Sequence, residues 1–155
     1  MSDSKEPIDF YFDFSSPYGY FAAAKIEALA AKHGRGVTWH PILLGAVFKL
    51  NGQQPLANIP LKGSYAKHDM LRSARWFGLP FKVPSRFPVN TVAPCRAFYW
   101  VHDQDAALAK QFAAALYHAY FAEDRDISSA EITANVAAKL GIDKPALSAA
   151  LNDAA

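Results

Sequence analysis

The chain has 155 residues, 52% of them hydrophobic and 19% charged, a composition that buries a core and excludes a disordered tail. Lys and Arg total 16 against 14 Asp and Glu, a formal charge of +2, and the basic residues are scattered without a run that could follow a phosphate backbone, which argues against a nucleic-acid partner. One cysteine, Cys95, excludes an internal disulfide framework and any multi-cysteine zinc site.

Ile8 to Phe14 (IDFYFDF) is short, aromatic and β-branched, the composition of a mostly buried strand. It runs into Ser15, Ser16 and Pro17, a helix-start signal. A serine hydroxyl accepts an orphan helix N–H, and proline at the first helical position loses nothing by lacking its own. Tyr18, Ala22, Ile26, Leu29 and Ala30 recur at helical spacing, and Gly34 or Gly36 closes the helix. Val37 to Leu43 reads as a second strand, which makes a βαβ unit with parallel strands.

Leu44 to Gly63, interrupted at Gly52, Pro55 and Pro60, predicts a long loop or broken helix. A helix follows from Tyr65 to Phe77, ended by Gly78 and Pro80. The Pro-rich connector LPFKVPSRFPVN leads to Asn90 as the N-cap of a helix over Thr91 to His102. Asp105 begins an alanine-rich helix to Phe121. Ser128 with Glu131 forms a capping box for a helix ended by Gly141, and Asp143 with Pro145 opens a last helix toward Leu151. The total is one βαβ unit followed by four or five helices.

This is an α/β chain in two parts: residues 1–43, the N-terminal βαβ half of a domain, and residues 44–155, a loop plus a helical region. Two parallel strands do not form a stable sheet by themselves, so the remaining C-terminal strands of the sheet are expected to be missing from this chain. The opening MSDSKEPIDF carries two acidic residues before position 7 and no apolar run, unlike a signal or transit peptide. No stretch approaches ~18 consecutive apolar residues. The expectation is a cytoplasmic chain with no membrane contact.

Candidate chemistry concentrates in FYFDFSSPYGYF. A strand that ends in a small polar residue at a helix N-terminus aims several backbone N–H groups and the helix dipole at one spot. An anion at Ser16 is stabilised there, either an oxyanion or the thiolate of a bound thiol. As an N-cap alone Ser16 contributes roughly 1 kcal/mol, and the two roles can coexist. His33, His40, His68, His102 and His118 show no metal-ligand spacing, and no metal site is read. Cys95, inside a helix in an apolar context, reads as packing. The aromatic residues between Tyr65 and Phe121 read mostly as helix core, with Trp76 the first choice to line a cleft against a flat substrate.

The run of strand, Ser16-Pro17-Tyr18-Gly19 at a helix start, strand and helical region resembles the thioredoxin-like fold in its DsbA-type form. Redox members of that fold carry Cys-x-x-Cys at these four positions; with Ser16 and Gly19 there, disulfide exchange by the motif is closed. The serine form resembles the 2-hydroxychromene-2-carboxylate isomerases and their relatives, the kappa-class glutathione transferases. NGQQPLANIPLKGSYAKHD is similar to a second family segment through Pro55, Pro60, Lys62, Tyr65 and Asp69, and GLPFKVPSRFPVNT followed by Arg96 is closer to the isomerase branch. The likeness runs from about Ile8 to Leu151.

The resemblance implies a thioredoxin-like βαβ unit with a large all-helical insertion, and glutathione as cofactor. Ser16 would hydrogen-bond the glutathione sulfur and help hold it as thiolate. Lys62 would meet a glutathione carboxylate, and Gln53 its backbone, with Asn51 or Asn58 as alternatives. Asn90 and Arg96 would handle the substrate, Arg96 pairing with a chromene carboxylate in a bidentate way. The implied reaction interconverts 2-hydroxychromene-2-carboxylate and trans-o-hydroxybenzylidenepyruvate in breakdown of aromatic compounds. Thiolate adds to the conjugated double bond, the bond rotates, and elimination returns glutathione. The implied partners are a small aromatic carboxylate and a second copy of the chain in a homodimer. Related domains continue with a G-x-P-T-like loop holding a cis-proline, two antiparallel strands and a helix, and no residue after Pro88 fits that loop, so only half of the glutathione site is expected here. The alternatives are a kappa-type transferase or peroxidase and a non-enzymatic thioredoxin-like binding module.

Overall fold

The computed structural model describes residues 6–153; the expectations for the first five residues and for Ala154 and Ala155 lie outside them. Strands β1 (Ile8–Phe12) and β2 (Val37–Pro41) flank helix α1 (Pro17–Lys32) and pair in parallel, Ile8 opposite Val37 through Phe12 opposite Pro41. Side chains alternate across the pair. Phe10, Phe12, Val37 and Trp39 are buried, while Asp9 and Tyr11 are exposed, so β1 packs on one face instead of being mostly buried. On the open face His40 Nε2 lies 2.9 Å from Asp9 Oδ1, and the Tyr11 ring stacks on His40.

Ser16 is the N-cap of α1 and Pro17 its first residue, as the local pattern requires. The buried face of α1 is Pro17, Tyr20, Phe21 and Ala30, whereas Tyr18, Ala22 and Leu29 are exposed. The shift has a cause in packing: Tyr20 stacks on Phe121 and Phe21 on Phe77, drawing that side of the helix inward.

The Leu44–Gly63 segment is a broken helix. Helix α2 (Leu44–Asn51) buries no residue and ends at Gly52, where φ is 71°, the left-handed region glycine occupies without strain. A single 3₁₀ turn at Leu56–Asn58 precedes α3 (Lys62–Phe77), which starts three residues earlier than Tyr65. A side chain at Gly63 would run into the backbone of Ala57, so α3 lies flush on the 3₁₀ turn. Then come α4 (Val92–His102), α5 (Ala106–Phe121), α6 (Ala130–Ala138) and α7 (Lys144–Asn152), making six helices after the βαβ unit among the described residues.

Caps correct two details of the sequence reading. Ser129, not Ser128, caps α6 through Ile132 N–H, because the Ser128 hydroxyl donates to Asp126 Oδ1 instead. Thr91 occupies the cap position of α4, while Asn90 Oδ1 accepts Val92 N–H at 2.8 Å. The connector between α3 and α4 is irregular yet tied down. Tyr20 and Tyr120 hydroxyls donate to the Pro80 and Arg86 carbonyls, Lys82 N–H to Phe121 O, and Ser85 N–H to Asp124 Oδ1.

One aromatic core joins the sheet to the helices. Tyr117 is fully buried among Phe12, Phe14 and Tyr20, and burying a side chain of this size contributes about 1.5–3 kcal/mol. Phe98, Tyr120 and Phe121 are core as expected, but Tyr65, Trp76 and Tyr99 are exposed. No helix of the described residues is long and apolar enough to cross a membrane.

Candidate active site

The carboxylate of Asp13, one residue past β1, organises the site. Its Oδ1 accepts Ser15 N–H at 2.7 Å and the Thr91 hydroxyl at 3.1 Å, and its Oδ2 accepts Leu44 N–H at 2.7 Å. Its main-chain oxygen accepts Ser16 N–H and the Tyr117 hydroxyl, both at 2.9 Å. One buried side chain therefore joins the starts of α1, α2 and α4. Ser15 Oγ accepts Val89 N–H at 3.0 Å and brings in the end of the connector. The Phe87–Pro88 peptide bond in that connector is cis.

A cleft of about 340 Å³ opens beside this junction. Its polar end carries Asp13, Ser15 and Ser16, and its walls are Leu44, Phe48, Pro55, Leu56, Ala57, Met70 and Phe87–Val89, with Tyr18 at the side. Ser16 Oγ accepts Gly19 N–H at 3.1 Å. That bond uses an oxygen lone pair, and no acceptor among the described residues takes the hydroxyl proton, so Ser16 caps the helix and still has a donor to offer. The N-terminus of a helix of 16 residues adds positive potential at the same place. The arrangement can bind an anion or a polarisable sulfur at Ser16 and an apolar group along the walls.

Of the six candidate site residues Ser16, Gln53, Lys62, Asn90, Arg96 and Trp76, Ser16 alone lines this cleft. Lys62 is exposed at the start of α3, beside the Gly63 that packs on the Ala57 wall. Gln53 is exposed just beyond α2, its N–H bonded to Phe48 O. Asn90 and Arg96 line a separate cleft of about 380 Å³ with Ser128 and Leu151. Trp76 is 85% exposed on α3, and Phe48 and Phe87 supply the aromatic walls instead. Asp13, Phe48 and Pro88 were not singled out. The partners of Asp13 are distant in sequence, and the connector offers three X-Pro bonds with nothing local to select the cis one.

Cys95 is buried, and burial followed by the nearby Asp13 carboxylate pushes its thiol up to about 12. Burial first, then hydrogen bonding to Asp69, raises the Tyr18 phenol to about 12. Burial does the same for Tyr120, and burial followed by Asp13 holds Tyr117 well above its ordinary value. All four groups are neutral when protonated and all have folded values above their unfolded ones. Their contribution to stability is thus complete below pH ~8; that of Cys95 is lost as pH rises from ~9 toward 12, and that of the tyrosines from ~10 upward. Urea midpoints are expected to be level from about pH 7 to 8 and to fall above about 9, and Ellman's reagent at about pH 8 is expected to leave Cys95 unmodified until urea is added.

The DSBA-like thioredoxin domain family matches residues 7–155. Glutathione S-transferase kappa 1 of Caenorhabditis elegans is 28% identical over 145 residues, covering 89% of this chain and 64% of the relative. A 2-hydroxychromene-2-carboxylate isomerase of Sphingobium xenophagum is 30% identical over 142 residues, covering 90% and 71%. The solved structure of a 2-hydroxychromene-2-carboxylate isomerase superposes with a TM-score of 0.81 at 27% identity, covering 94% of this chain and 71% of that one. The chain spans just under two thirds of the length of the nematode transferase. With the family match reaching across βαβ unit and helices alike, the chain belongs to the DSBA-like thioredoxin domain family and is similar within it to 2-hydroxychromene-2-carboxylate isomerases and kappa-class glutathione transferases.

Proposed function

We propose that the cleft beside Ser16 serves a glutathione-dependent isomerase that interconverts 2-hydroxychromene-2-carboxylate and trans-o-hydroxybenzylidenepyruvate. The observation that carries this reading is the Ser16 hydroxyl: its oxygen is engaged by Gly19 N–H, its proton is uncommitted among the described residues, and it faces an apolar cleft. Glutathione fits this donor set, because a sulfur next to Ser16 meets an O–H donor and a helix N-terminus, both of which favour thiolate over thiol. When bound, glutathione supplies the nucleophilic sulfur that this chain, with Cys95 buried, does not present itself.

In this reading Ser16 donates to the sulfur and is never acylated. Phe48, Met70 and Phe87 hold a flat apolar ring and exclude water from it. Lys62 and Gln53, both exposed and next to segments that form the walls, meet the carboxylate and backbone of glutathione. Asn90, which follows the wall residue Val89 directly, and Arg96 on α4 line the separate cleft, and in this reading they meet a substrate carboxylate from there. The assembly proposed is a homodimer.

Absorbance assays of the chain with glutathione test the proposal, one with 2-hydroxychromene-2-carboxylate and one with chlorodinitrobenzene. Isomerisation that stops when glutathione is omitted is the expected result. Conversion of chlorodinitrobenzene without isomerisation would replace it with a kappa-type transferase. No glutathione binding at millimolar concentration would leave a binding module.

A further inference from the structure

Tyr18 and Asp69 both lie in the motifs that carry the family likeness, and the chemistry above uses neither. They meet in the structure across 51 positions of sequence: the Tyr18 phenol donates to Asp69 Oδ2 at 2.8 Å. The other carboxylate oxygen, Oδ1, accepts Arg72 Nη2 at 2.5 Å, so Asp69 is held from both sides and its side chain is only 19% exposed. Tyr18 stands two residues after Ser16 and lines the cleft; Met70, the neighbour of Asp69, lines it from α3. Leu56 and Ala57 lie flush against α3, because Gly63 packs directly on the Ala57 backbone. The phenol–carboxylate bond therefore links the turn bearing Ser16 to a body that forms much of the apolar wall. Burial and Asp69 hold the phenol up at about 12, so the link stays protonated at any ordinary working pH.

We propose that Asp69 is a positioning residue: acting through Tyr18, it fixes α3 and the Leu56–Ala57 turn against the first turn of α1 and so sets how closely the cleft closes on an apolar ligand beside Ser16. The proposal rests on reading this cleft as the place where such a ligand is held, and it does not require glutathione to be bound.

Four chains test it: native, Y18F, D69L and the double variant. Y18F keeps the ring and D69L keeps the bulk at a half-buried position outside the hydrophobic core, so all four are expected to give the same far-UV circular dichroism. Naphthol, titrated by its fluorescence, probes the apolar wall, and glutathione is titrated separately by calorimetry. Each single variant is expected to lose about tenfold in naphthol affinity, the double variant no more than either single, and glutathione affinity to stay within about twofold throughout. Equal naphthol affinity in all four chains overturns the proposal. So do single losses that multiply in the double variant, parallel losses for naphthol and glutathione, and failure of the native chain to bind naphthol. Coupled loss of naphthol in a chain that does not bind glutathione supports the positioning role and overturns the glutathione reading alone.

Discussion

Under the proposed function, Ser16→Ala is expected to lower glutathione-dependent turnover by about a hundredfold or more, the usual consequence of removing a donor from a site of developing charge. The same substitution removes the acceptor for Gly19 N–H and is expected to cost about 1 kcal/mol of stability. The two effects are separable because they use different halves of one hydroxyl. Ser16→Asp keeps a good cap for α1 and places a negative charge where the proposed function seats the sulfur. That variant is expected to unfold at a urea concentration no lower than the native chain while losing at least as much activity as Ser16→Ala. Thiolate absorbance of bound glutathione, followed against pH, should move to higher pH in both variants. A variant with the cap restored and full turnover would show that Ser16 acts only on the helix.

Asp13→Ala is expected to be the most destabilising single change near the cleft, by about 4 kcal/mol or more in urea unfolding. Asp13 is 7% exposed, and its carboxylate satisfies Ser15 N–H, Leu44 N–H and the Thr91 hydroxyl. Hydrogen bonds to a charged acceptor contribute about 1.5–3 kcal/mol each, and buried donors left unpaired add a further penalty. Asp13→Asn keeps the shape but sets an N–H₂ group against one of those donors, so about half the loss is expected. Because the three donors lie on three segments, the damage should extend to ligand binding. Glutathione affinity is expected to fall in Asp13→Asn even under conditions where the variant remains folded.

The sequence makes the βαβ unit easy to read because its signals are local. A short aromatic strand, a serine cap, Pro17 at the first helical position and a β-branched second strand each report on their own neighbours. Helix α2 is harder: Leu44, Val47 and Phe48 recur at helical spacing, but the helix is only 8 residues long, Leu43 gives its start no side-chain cap and none of its residues is buried. The early start of α3 is hidden in another way: Leu61 takes a positive φ of 65°, a conformation that its residue type does not advertise. At α6 the capping-box spacing at Ser128 and Glu131 is outweighed by a competing acceptor, Asp126, two residues upstream. Ser16 was legible as a cap and as a donor. The cleft around it was not, because Leu44, Phe48, Met70 and Phe87 come together only through the turns fixed by Asp13 and Gly63. Long-range packing of that kind leaves no mark on any one window of sequence.

The Tyr117 hydroxyl reaches the Asp13 carbonyl across 104 positions, and beneath it Gly19 has no room for a side chain, since a Cβ there would lie 2.5 Å from that oxygen. The order of synthesis gives this contact a meaning in time. Chains grow at about 5–20 residues per second, so the serine turn is made on the order of five to twenty seconds before the ring that pins it. During that interval FYFDFSSPY, rich in aromatic side chains, has none of its α5 partners. Although encoded near the start of the chain, the Ser16 turn can gain its Tyr117 contact only once α5 has been made.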